Sequence, residues 1–84
     1  TDFIEVFMSE FLTFELSDDN LVLNIFGNEE GLKSLISSIE KVIKYNDHDH
    51  LMTPSWAGYE LSEEPQGENT KILNKVTIAI INEE

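Results

Sequence analysis

Leu32, Leu35, Ile36, Ile39, Val42 and Ile43 recur at i, i+3, i+4 and i+7 spacing, while Lys33, Ser37, Glu40, Lys41 and Lys44 fall off that line. This is the period of one amphipathic helix, and on both sides of it the pattern changes to alternation. A lone helix among strands covers one face of a sheet. The chain is therefore constrained to an α+β fold, a mainly antiparallel β-sheet with the helix packed on one face. Asn28 stands where an N-cap belongs, Glu29 and Glu30 fall in the first turn where carboxylates complement the helix dipole, and Asn46-Asp47 ends the repeat after Tyr45. The stripe is expected to face the core, so that Ile39→Ala would cost about 2–5 kcal/mol.

Before the helix, Ile4, Val6, Met8, Leu12, Phe14 and Leu16 share one parity, interrupted by Glu10. Leu21, Leu23 and Ile25 resume the alternation after the turn residues Ser17 to Asn20. Residues 11–26 thus predict a β-hairpin, with Phe3 to Glu10 as a strand-like lead-in. After the helix, "HDHLM" reads as a strand, Pro54 to Gly58 as a turn and "YELS" as a short extended piece. "EEPQGENT" (Glu63 to Thr70) reads as an exposed loop, and Val76, Ile78 and Ile80 mark a C-terminal strand. The predicted order is β-β-α-β-β-β in a single domain over residues 1–84. The sheet face away from the helix would carry Phe7, Phe11, Val22, Phe26, Ala79 and Ile81. That is more apolar than a solvated face requires, and it offers itself to a partner.

Composition narrows the function. Seventeen acidic residues against five lysines and no arginine give a net charge of -12, a field that repels nucleic-acid phosphates and anionic membranes and attracts basic proteins. Hydrophobic residues at 40% suffice for a core, so the acidity does not signal disorder. The absence of cysteine removes disulfides and thiolate chemistry. The opening "TDFIEVFMSEF" lacks the basic start and apolar run of a secretory signal, and no apolar run reaches the ~20 residues that span a bilayer. A cytoplasmic protein is expected.

The chemistry concentrates in Asn46 to Glu64, which holds both histidines and the only tryptophan. A strand over this stretch would put His48 and His50 on one side, flanked by Asp47 and Asp49, as candidates for a shared metal ion. Two ligands do not complete a site, so neither a metal nor a cofactor is expected. Ser55 or Ser62 with a histidine could be read as a hydrolytic pair, but Ser55 precedes Trp56 instead of sitting in a nucleophile elbow. No catalytic residue is assigned. The remaining reading is recognition: Pro54 stiffens the loop, Gly58 permits a tight turn, and Trp56 supplies a large contact surface, unless the indole plugs the core instead. Trp56, Tyr59, Glu60, Glu63 and Glu64 form the expected partner-binding group.

"GNEEGLKSLISSIEKVI", "HDHLMTPSWAGYELSEE", the "QGE" of the following loop and "LNKVTIAI" together resemble the immunity protein 32 family of bacterial polymorphic and contact-dependent toxin systems. The resemblance covers Phe11 to Ile81 and is carried by Gly31-Leu32, His50-Leu51, Pro54 to Gly58 and Leu61-Ser62, while the Phe3 to Glu10 lead-in exceeds the family pattern. It implies a non-catalytic protein that neutralises a cognate toxin domain by binding it, often a nuclease with a basic cleft. Acidity would then steer association and apolar anchors would slow release. The alternative is a structural or regulatory domain, homodimeric through its exposed sheet face, with an ion on His48 and His50.

Overall fold

The computed structural model describes residues 10–82; the lead-in Phe3 to Ser9, Phe7 included, lies outside them. The hairpin forms where alternation places it. β1 (Leu12–Ser17) pairs antiparallel with β2 (Leu23–Gly27), from Leu12 opposite Gly27 to Leu16 opposite Leu23. Short polar side chains build its turn: Ser17 donates to Asp19 at 2.6 Å, Leu21 N donates to Asp19 at 3.0 Å, and Asn20 takes the left-handed region at φ 63°. The Ser17 hydroxyl and the Leu21 amide hold the Asp19 carboxyl below its ordinary range.

The helix α1 spans Glu29–Tyr45. Asn28 Oδ1 accepts from Gly31 N at 2.7 Å and from Phe11 N at 3.0 Å, so one cap fixes both the helix start and the entry to β1. Asn46, at φ 54°, closes the helix with its N–H donating to Val42 O. β3 (His48–Met52) pairs antiparallel with β5 (Lys75–Ala79), and β4 (Thr70–Ile72) pairs antiparallel with the other edge of β1. The described strands make two antiparallel sheets, β2-β1-β4 and β3-β5, with α1 packed against β2, β3 and β5. The order β-β-α-β-β-β holds. Its fourth strand, however, is Thr70–Ile72 and not "YELS", which bends because Leu61 turns into the core and Glu60 folds back onto the Met52 amide.

The inward line of α1 differs from the expected stripe. Gly31, Ser38 and Val42 are buried and Leu35 packs on the core, whereas Ile39 is 40% exposed and Ile43 60%. Leu35 and Val42 are common to both lines, so the helix is turned from the expected orientation by less than the angle of one residue, about 100°. Two contacts set that rotation. A Cβ on Gly31 would lie 1.9 Å from the Phe11 carbonyl oxygen, so only glycine lets the helix approach the strand entry. Ser38 Oγ donates to Asp49 Oδ2 at 2.8 Å, which draws this side of the helix onto β3. Small and polar groups here outrank the apolar demand of Ile36 and Ile39.

The core consists of Leu12, Phe14, Leu51 and Leu61, with Leu35, Leu73, Val76 and Ile78 packed against it. Leu12 and Phe14 supply one face of β1. The other face, Thr13 and Glu15, is also buried, and Glu15 is 0% exposed. Glu15 Oε2 accepts from Thr13 Oγ1 at 2.7 Å and Gln66 N at 2.8 Å; its Oε1 accepts from Gly67 N at 3.0 Å and Thr70 Oγ1 at 2.7 Å. Burial opposes ionisation, but these four donors outweigh it and bring the carboxyl from 4.5 down to about 2. The segment expected as an exposed loop is therefore a strap. Glu63, Glu64 and Glu68 remain exposed while the backbone at Gln66 and Gly67 closes over β1. The face expected to stay open is correspondingly divided: Phe11 and Phe26 are half-buried, Val22 and Ile81 are exposed, and Ala79 belongs to the other sheet. No helix among the described residues is long and apolar enough to cross a membrane.

Candidate functional site

β3 delivers the chain to Thr53, which is fully buried and tied to the strand entering β5. Its Oγ1 donates to Asn74 Oδ1 at 2.7 Å and its N–H to Asn74 O at 3.1 Å. From this fixed point Pro54–Trp56 make a single 3₁₀ turn, with proline at its start where a missing N–H costs nothing. Trp56 N and Gly58 N both donate to Thr53 O at 2.9 Å. Ala57 ends the turn at φ 67°, an unfavourable region for alanine that the surrounding bonds enforce. A Cβ on Gly58 would lie 2.5 Å from Met52 O, so the return of the loop against β3 requires glycine.

The acids of the expected partner-binding group do part of this holding. Glu60 Oε1 accepts from Met52 N at 3.0 Å and from Tyr59 N at 3.3 Å, and Glu63 Oε2 accepts from Ser55 N at 2.6 Å. The Ser55 hydroxyl and amide hold the Glu63 carboxyl below its ordinary range. Glu64 is exposed, its amide donating to Ser62 Oγ at 3.2 Å. The result is a clamped loop with its aromatic side chains facing out. Trp56 is 52% exposed and Tyr59 89%, which settles the position of the indole: it is a surface group and not a plug in the core. Trp56, Tyr59, Glu60 and Glu63 are joined by one loop and its two carboxylate clamps.

His48 and His50 lie on the same side of β3, ring centroids 4.9 Å apart and nearly edge-on at 65°. Each has a partner of its own: His48 Nδ1 is 3.2 Å from Asp47 Oδ1, and His50 Nδ1 is 3.1 Å from Thr77 Oγ1. Asp49 bonds Ser38 on the opposite side of the strand. Among the described residues no group of three or more His, Asp or Glu is placed to hold a metal ion. Ser55 engages Glu63 and the Ser62 hydroxyl accepts from the Glu64 amide, so neither serine is placed on a histidine among these bonds.

Sequence reasoning missed Glu15 and the Thr53–Asn74 bond. Glu15 shares its parity with Thr13 and so reads as a solvent-facing residue; the one available signal was a carboxylate in a strand flanked by Phe14 and Leu16, followed far downstream by the Gly67 turn that supplies its donors.

The family model described as Immunity protein 32 matches residues 22–76, from the start of β2 into β5, including the helix, the clamped loop and the strap. No curated protein and no solved structure matches the chain. Immunity proteins are typically non-catalytic. With the match covering well over half of its length, the chain belongs to the immunity protein 32 family, and that membership implies neutralisation of a toxin.

Proposed function

We propose that this protein acts in the cytoplasm as a stoichiometric inhibitor of a basic cognate toxin domain, such as a nuclease. It contacts the toxin through Trp56 and Tyr59, with Glu60, Glu63 and Glu64 around them. The observation that carries this reading is the exposure of Trp56 on a loop whose backbone is clamped from both sides, since a backbone already held in place loses little entropy on binding. Charge supports it: residues 46–69 contain six acids and no lysine. A field of one sign accelerates encounter with a basic partner and competes with the partner's phosphate substrate.

Binding kinetics of the cognate toxin over a salt series test the proposal. The on-rate should fall as the Debye length shrinks from about 10 Å at 0.1 M to about 3 Å at 1 M. Trp56→Ala should act on dissociation instead, at a cost of about 2 kcal/mol or more. A salt-independent on-rate would sink electrostatic steering, and an unchanged off-rate would remove Trp56 from the interface. A second reading, a homodimer, draws on the exposed apolar side chains Leu21, Leu23 and Ile25 in and beside β2. Sedimentation separates the two, because only the second requires a dimer in the absence of toxin.

A further inference from the structure

A cleft of about 600 Å³ opens between α1 and β3, beside the clamped loop. Its lining combines the side chains of Leu12, Leu35 and Leu51 with those of Glu10, Asp49 and Glu60. Lys41 lines the same cleft, yet among the described residues no ion pair joins it to any of the three. Neutral donors hold the carboxylates instead. Ser34 donates to Glu10, Ser38 and the His50 amide to Asp49, and the Met52 and Tyr59 amides to Glu60. A carboxylate has about four lone-pair sites, so each keeps room for a further donor. The cleft thus brings three carboxylates, held by neutral donors and not ion-paired to Lys41, together with three leucines.

Such a cleft selects a group with an aliphatic stem and a cationic head. Guanidinium suits it better than ammonium, because a planar fork donates to more than one carboxylate at once and is more weakly hydrated. We infer that this cleft receives an arginine side chain of the toxin, its methylenes over the three leucines and its guanidinium among Glu10, Asp49 and Glu60. The inference rests on the toxin-binding reading above. Tyr59 and Glu60 belong both to the clamped loop and to the cleft wall, so the two surfaces are continuous.

The test uses the whole protein and a defined probe, Nα-acetyl-L-arginine methylamide, followed by backbone-amide NMR. Saturable shifts are expected at Ser38, Asp49, Leu51 and Glu60. The neutral isostere, the corresponding citrulline amide, should bind about tenfold more weakly, the loss that follows from removing a charge-assisted hydrogen bond. Glu10→Gln should weaken the arginine probe, and Ser37→Trp, which fills the cleft from the exposed side of α1, should abolish its shifts. Equal binding of the citrulline amide, equal binding of the lysine amide, or shifts spread over all acidic residues and unchanged in both variants would each overturn the assignment. If the probe binds as described but no toxin does, the arginine cleft stands and the toxin-binding reading falls. If the toxin binds and the probe fails, the cleft assignment alone falls.

Discussion

The two faces of β1 are closed by unlike materials. Leu12 and Phe14 meet side chains of α1, β3 and β5, while Glu15, to which Thr13 donates, meets the backbone of the strap at Gln66 and Gly67. Apolar closure is proportional to area and tolerates imperfect fit. Polar closure tolerates very little, because each oxygen of a buried carboxylate must find donors or the group stays in water. The same strand is thus held on one side by many interchangeable contacts and on the other by three specific ones, from Gln66, Gly67 and Thr70.

Truncating the apolar side should have the largest effect. Phe14→Ala is expected to lower stability by about 3–5 kcal/mol, read from urea unfolding at neutral pH. A loss below about 1 kcal/mol would mean that the strap and not the core holds β1. On the polar side, Glu15→Gln keeps the shape but replaces one acceptor oxygen with a donor, and should cost on the order of 2–3 kcal/mol. Hydrogen exchange sharpens this second test: the Gln66 and Gly67 amides should lose protection well before those of β3. Uniform loss across the chain would show that the strap has no independent hold.

The pH dependence of stability separates the faces further. The fold lowers the Glu15 carboxyl from its ordinary 4.5 to about 2. Its contribution is complete above 4.5 and is lost as the pH falls from 4.5 towards 2. Asp19 and Glu63 are lowered too, so the slope unique to Glu15 is the difference between wild type and Glu15→Gln over that window. Parallel curves would remove Glu15 as a source of acid sensitivity. The smallest effect belongs to the helix: Ile39→Ala should cost less than about 1 kcal/mol, because Ile39 remains 40% exposed.

That last value reverses what the apolar stripe alone predicts, and it marks where the sequence is legible. The hairpin and both ends of α1 can be read because local chemistry dictates them: alternation in β1 and β2, the Asn28 cap, and Asn46 in the left-handed region. The rotation of α1 cannot, because it depends on what lies across the interface, the Phe11 carbonyl against Gly31 and Asp49 against Ser38. β4 was hidden for a related reason. Thr70–Ile72 is too short for a periodic signal and becomes a strand only because an edge of β1 is available. At the candidate site, the prominence of Trp56 is visible from its Pro and Gly neighbours, but its exposure follows from the Thr53–Asn74 bond and the Glu60 and Glu63 clamps. Long-range polar partners leave almost no periodic trace.

The buried carboxylate also bears on the order in which the chain can fold. Glu15 and its donor Gln66 are 51 residues apart, so the strap donors meet it across the hairpin, the helix and β3. An ionised carboxylate buried before the strap docks would cost several kcal/mol with only the Thr13 hydroxyl to offset it. β1 therefore keeps one wet face until the strap docks, and desolvation and docking occur as a single event. Partially folded species should retain the hairpin and helix but carry β1 half hydrated, and the barrier to global unfolding should include the release of the strap. Strap docking should then appear in refolding as a step later than helix formation.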